Sequence, residues 1–149
     1  MAKTHTARQR YLDLLDDFSG LLRDALDLMR ALQGADDHHD RTFIDRPAIE
    51  VHEQNSDHHD WLALIGLTRD AWLATWSEQP DRAAAVAEGW WHVPYPCFKR
   101  LAFFAAAEGP AVPTQRAVDW LLADDAHWLW SAEVQRESMR LLVSLGPRV

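Results

Sequence analysis

Two tripeptides, His38-His39-Asp40 and His58-His59-Asp60, with His52 between them, are the residues of this chain best suited to metal chemistry. Neutral imidazole and carboxylate ligate zinc, iron or manganese, and such sites gather ligands from several segments. The candidate ligand set is His52, His58 and Asp60: if His58 opens a helix, Asp57 or Asp60 can join it from the same turn. Against it, adjacent histidines diverge on a helix, and the interval lacks the tight spacing of specific zinc motifs. The simpler reading makes Asp37, Asp40, Asp57 and Asp60 caps or dipole partners at helix ends, with solvated histidines beside them. No cofactor is therefore expected, and a divalent metal is the minor alternative.

The tryptophans form the second candidate. All eight lie between Trp61 and Trp130, with none in the first sixty residues. Trp and Tyr carry much of the binding energy at protein interfaces, and Arg stacks on them. Trp90, Trp91, Tyr95, Phe98 and Arg100 fall within eleven residues. Trp61, Trp72, Trp76 and Trp120 read as core. Neighbours such as Trp90-Trp91, or the pair Trp128 and Trp130, cannot all face one core, so at least one of each group is expected to reach solvent. The expected partner-binding set is Trp90, Trp91, Tyr95, Arg100, Trp128 and Trp130.

Other reactive groups read as structural. Cys97, the single cysteine, sits between Pro96 and Phe98 as a packing residue and permits no internal disulfide. Asp124-Asp125-Ala126-His127 reads as a turn between helices, with Trp128 and Trp130 packed beneath it. There is no Gly-rich phosphate loop, G-x-S-x-G elbow, H-E-x-x-H or C-x-x-C. A non-enzymatic role is the expectation.

A length of 149 residues suits one domain, residues 1–149, able to bury a core without disulfides. The formal charge of −8 argues against nucleic acid, since phosphate neutralisation needs concentrated Lys and Arg. Residues 1–60 hold seven basic and thirteen acidic side chains, so they carry −6 of that −8. No apolar run reaches the ~18–20 residues that span a bilayer. The first residues lack a signal-peptide core, so a cytoplasmic location is expected. Many Arg, Ala and Trp residues suggest a bacterial, GC-rich origin.

The elements that must position these groups are helical. Tyr11, Leu15, Phe18, Leu22, Ala25, Met29 and Leu32 alternate by four and three, and Leu14, Leu21 and Leu28 widen the stripe. That predicts one amphipathic helix over residues 7–33, weakened at Ser19-Gly20 and closed by Gly34 at its C′ position. Residues 34–56 show no periodicity and read as a polar loop, functional or linking. Residues 57–149 read as a Trp-rich helical region. Its expected helices cover 57–77, a short stretch from Pro80 to Gly89, 96–108, about 113–123, and 131–145 behind a Ser131 cap. The class is all-α, a helical bundle or short HEAT-like array of about five to six helices. An internal echo supports the array: Lys99-Arg100-Leu101-Ala102 and Met139-Arg140-Leu141-Leu142 lie forty residues apart.

Residues 59–72, with Pro94-Tyr95-Pro96-Cys97-Phe98-Lys99-Arg100-Leu101-Ala102-Phe103-Phe104, Asp119-Trp120-Leu121-Leu122 and Trp128-Leu129-Trp130-Ser131, resemble stretches of large bacterial multidomain proteins. In those proteins an NTPase-like or SIR2-like defence module precedes a long helical region. The resemblance covers about residues 55–149, implies a helical scaffold or sensor segment, and transfers no active-site residue. The expected function is an interaction module for a protein partner or for other domains of a larger parent, with a homodimer through the N-terminal helix as one form. The alternatives are a small metal-dependent helical enzyme and an acidic immunity or toxin-neutralising protein.

Overall fold

The structure, a computed structural model, describes residues 7–50 and 62–148. Among them there are seven α-helices and no strand. They are α1 (Ala7–Ala31), α2 (Thr42–Asp45), α3 (Ala63–Glu78), α4 (Pro80–Trp91), α5 (Pro96–Glu108), α6 (Thr114–Trp130) and α7 (Gln135–Leu145). None of these helices is long and apolar enough to cross a membrane.

α1 is continuous through Ser19-Gly20, where Ser19 Oγ accepts the Trp90 indole N–H at 3.1 Å. Its end differs from the expectation: the left-handed residue is Gln33 (φ 62°), and the Gly34 amide returns to the Met29 carbonyl at 2.7 Å. Gly34 is thus C″ of a Schellman closure rather than C′. The predicted stripe also splits in two. Leu12, Leu15, Leu22 and Leu26 are buried, whereas Leu14, Leu21, Leu28 and Leu32 are exposed.

Prolines and caps set the later boundaries as expected. Pro80 and Pro96 occupy the first turns of α4 and α5. Ser131 Oγ accepts the Glu133 amide and starts a 3-10 turn, Ala132–Val134, that runs into α7. α4 overruns Gly89 by two residues.

Contact registers give the topology. Arg100 on α5 meets Glu137 on α7, and Ala107 meets Ser144, so numbering climbs together and the two helices run parallel. α3 runs parallel to α5, with Trp72 against Phe104 and Trp76 beside Gly109. In the other layer, Arg82 reaches the Leu12 carbonyl and Trp90 reaches Ser19, aligning α4 with α1. Glu88 with Arg116, and Trp91 on Trp120, align α6 with α4. The described residues therefore form three stacked helix pairs, α1/α3, α4/α5 and α6/α7, an all-α arrangement consistent with a helical bundle or a short repeat array. Each pair buries an apolar face only against its neighbours.

The aromatic rings lock the pairs together. Trp72 stacks on Trp76 at 6.0 Å, lies 6.3 Å from Trp90, and gives its N–H to the Ala83 carbonyl. Trp91 stacks on Trp120 at 5.1 Å. The expectation that Trp90 or Trp91 reaches solvent is not met, because both are buried. Their side chains leave the helix about 100° apart, and the core lies on both sides: Trp90 faces α1 and α3, Trp91 faces α5 and α6.

Residues 34–50 are more than a loop. Asp36 accepts the His38 and His39 amides, α2 makes a single turn, and Asp40, Thr42, Arg46, Ala48 and Ile49 are buried. This strap meets the 3-10 turn before α7 through His39, α5 through Asp40, Thr42 and Arg46, and at its end α3 through Ile49 and α7 through Glu50. A Cβ on Gly66 would stand 3.0 Å from the Arg46 guanidinium, so a larger residue there would oblige that buried side chain to give by a few tenths of an ångström where the strap passes.

Within α6 the helix breaks at Ala123, and Asp124, Asp125 and Ala126 follow with φ of 54°, 56° and 63°. Asp tolerates this left-handed conformation, whereas Ala is strained by its Cβ at a cost of about 1–2 kcal/mol. Ala126→Gly is expected to raise the melting temperature by about 3 °C, after allowing for the added freedom of the unfolded chain. A melting scan showing no rise would mean that the turn carries no strain at Ala126.

Candidate functional site

The strap and the starts of α5 and α7 meet over a buried polar network. Asp40 Oδ1 accepts the Thr42 amide and hydroxyl, and its Oδ2 accepts the Cys97 amide at 2.6 Å. A residue 57 positions away thus caps α5, whose own Tyr95 supplies no side-chain cap. Arg100 gives Nε to Glu137 Oε1 at 2.6 Å, Nη2 to the Arg46 carbonyl at 2.6 Å, and Nη1 to Thr42 Oγ1 at 3.4 Å. Burial raises the carboxyl pKa values of Asp40 and Glu137, and Arg100 opposes both shifts. Burial also drives the Cys97 thiol upward, so it stays protonated and inert, as the sequence suggested.

Above this network opens a cleft of about 400 Å³ walled by Phe43, Pro47, Met139, Glu133 and Glu137, with Arg100 at its edge. Glu133 Oε1 faces His39 Nδ1 at 3.2 Å. Glu133 Oε2 and Glu137 Oε2 are buried without a hydrogen-bond partner.

A second cleft, about 290 Å³, lies between Trp91, Lys99, Asp37, His38, Asp124 and Trp128. The Lys99 ammonium sits 4.5 Å from the Trp91 ring centroid and 5.7 Å from that of Trp128, and it donates to the Trp91 carbonyl. Burial lowers its pKa, and Asp124 and Asp37 counter that. The His38 and His127 rings are 4.4 Å apart, edge to face, and burial lowers the His127 pKa. Lys99 covers the aromatic wall of this cleft with its own ammonium, and the space beside it stays open.

The residues singled out in the sequence divide accordingly. Trp90, Trp91, Tyr95, Arg100 and Trp128 are buried, and Tyr95 is tied to Asp27 by a 2.5 Å hydrogen bond. Trp130 is 79% exposed, so it is not packed beneath the Asp124–His127 turn. The turn breaks the helical phase just ahead of it and presents Trp128 inward instead. His52, His58, Asp60 and Trp61 lie outside the described residues. Among the described residues no three His, Cys, Asp or Glu side chains gather to hold a metal ion. His38, His39 and Asp40 separate: His38 packs on His127, His39 faces Glu133, and Asp40 caps α5.

The remaining feature is the outer face of α1. Leu14, Phe18, Leu21, Ala25, Leu28 and Leu32 alternate by four and three. Leu21, Leu28 and Leu32 are 52%, 62% and 75% exposed. At 100° per residue this seam lies about 120° round the helix from the buried leucines. Neither a family model, nor a curated protein, nor a solved structure matches the chain.

Proposed function

We propose that this chain is a helical-repeat interaction module, and that its partner lays an amphipathic helix with basic flanks along the outer face of α1. The unpartnered leucine seam carries the reading. A helix face turned to solvent is ordinarily polar, and this one presents Leu14, Leu21, Leu28 and Leu32. A spacing of four and three is what a second helix needs to interlock with it.

Charge selects the occupant. Asp13, Asp17 and Asp24 border the seam, with only Arg10 among them on that edge. An antiparallel copy of α1 centred on Leu21 would bring Asp17 beside the copy's Asp24, which repels. A lipid surface favours Lys and Arg beside the apolar face, the reverse of what is found. A basic-flanked helix satisfies both seam and border. The same reading holds whether that helix belongs to a separate protein or to another domain of a larger parent, as in the multidomain proteins the sequence resembles.

The test pairs light scattering with calorimetric titration of a synthetic leucine-seam helix carrying Lys flanks, against the same helix with Glu flanks. The expected result is a monomer that prefers the Lys helix and loses affinity with added salt. Leu21→Asp with Leu28→Asp should weaken it by about 100-fold or more, since hot-spot losses exceed 2 kcal/mol. Circular dichroism should be unchanged, because both side chains are exposed. Equal binding of the two helices, or a dimer abolished by the same substitutions, would overturn the reading, the latter in favour of a second copy.

A further inference from the structure

We infer that the cleft of about 290 Å³ beside Lys99 is a binding site for a small amino-acid zwitterion, its carboxylate on the Lys99 ammonium and its own ammonium on Asp124. An ammonium group has three donors. Among the described residues the chain gives that of Lys99 one acceptor, the Trp91 carbonyl. Asp37 and Asp124 act on it through space and accept no hydrogen bond from it. Two donors are therefore left for a group outside the chain. They can be reached: Lys99 is only part-buried, and its Nζ stands 4.5 Å and 5.7 Å from the centroids of the Trp91 and Trp128 rings that wall the cleft. The rings, the carbonyl and the two carboxylates all favour the charged form against the burial that lowers its pKa.

Charge chooses the ligand. Asp37 is already held by Arg30, with 2.5 Å between Oδ1 and Nη1. Asp124 is exposed on the left-handed turn that breaks α6, and among the described residues it has neither a hydrogen bond nor an ion pair. The lining thus offers one cation and one anion in need of partners. A simple anion would meet Lys99 but be repelled by Asp124 and Asp37, and a simple cation would meet Asp124 but be repelled by Lys99. A zwitterion satisfies both. The size agrees, because clefts for drug-sized ligands begin at about 300 Å³, so this one admits only a small molecule. The leucine seam of α1 contributes no residue to this cleft, so the two readings stand or fall separately.

The experiment is a ¹⁵N–¹H correlation titration of the whole chain with L-alanine and with γ-aminobutyrate, whose charges stand further apart. Propionate and ethylammonium are the controls that keep one charge each. Saturable shifts with at least one of the two amino acids are expected, confined to amides near residues 37–38, 91–92, 99 and 123–124. Each control should bind at least about tenfold more weakly, since hydrogen bonds to charged groups are worth that much. Lys99→Met and Asp124→Asn should each weaken the amino acid by a similar factor. The first keeps an unbranched stem against the two rings, and the second keeps a residue that tolerates the left-handed turn, so circular dichroism of both should match the parent. No saturation with either amino acid, an equal response to propionate or ethylammonium, or binding unchanged in either variant would overturn the site and leave water as the acceptor for the Lys99 donors.

Discussion

Arg100→Met is expected to destabilise the chain by about 3–5 kcal/mol in denaturant unfolding, because it strands a buried carboxylate. Glu137 would keep its burial and lose the guanidinium at 2.6 Å, while Thr42 Oγ1 and the Arg46 carbonyl would each lose a donor. The sign of the pH dependence follows. Burial already raises the Glu137 pKa against the pull of Arg100, and removing the cation raises it further. A carboxyl whose folded pKa lies above its unfolded value binds more protons when folded, so stability falls as pH rises through that window. The deficit of Arg100→Met should therefore be small in acid and grow as pH climbs above the ordinary glutamate range. The double variant Arg100→Met/Glu137→Leu should recover most of the loss, because a well-packed apolar pair replaces a buried ion pair at little cost. A pH-independent deficit, or no recovery in the double variant, would show that Arg100 acts through packing alone.

How much of this could be read from the chain depends on how local each cause is. α5 was legible at both ends because Pro96 and Gly109-Pro110 act within one turn. α7 was legible because Ser131 caps by a bond two residues long. α1 was found, but its two seams merged into one wide stripe. Leu14 and Leu15 are neighbours in sequence, and the packing of α3 and α4 on α1 decides which of them turns inward. The strap was missed for the opposite reason. α2 is four residues long, too short for any period to show, and residues 34–50 are fixed by distant partners. Asp40 is held by Thr42 and Cys97, Ile49 by Arg69, and His39 faces Glu133.

The candidate cleft was less visible still. Glu133 and Glu137 look like acidic residues in the first turn of a helix, where they suit its dipole. Nothing nearby says that both are buried. The single hint is the echo of Arg100 and Arg140 in matching tetrapeptides. Forty residues separate those segments, whereas the contacts of α5 with α7 run at a separation of 37, nearly one turn less. The echo therefore points to parallel stacking of α5 and α7 while setting Arg100 opposite Arg140, not opposite Glu137. Arg140 instead pairs with Glu50 and Glu108 nearer the surface.

Trp72→Ala and Trp130→Ala are expected to part by several kcal/mol although they remove the same side chain. Trp72 is fully buried between Trp76, Trp90 and Phe104, and its indole N–H satisfies the Ala83 carbonyl. Its loss removes packing that joins α3 to α4 and α5, and should cost about 3–5 kcal/mol. Trp130, 79% exposed, should stay within about 0.5 kcal/mol of the parent. Trp91 and Trp128 should fall with Trp72, because one stacks on Trp120 and the other is buried against His38 and His127. Chemical denaturation followed by far-ultraviolet circular dichroism reads the ordering without relying on tryptophan fluorescence, which each substitution alters directly. If Trp91→Ala or Trp128→Ala kept full stability, those two side chains would return to the partner surface where their sequence neighbourhood had placed them. If both unfold the chain with Trp72→Ala, the tryptophan cluster is the mortar between helix pairs, and the exposed apolar surface lies elsewhere, in the leucine seam of α1 and at Leu122, Trp130, Leu142 and Val143.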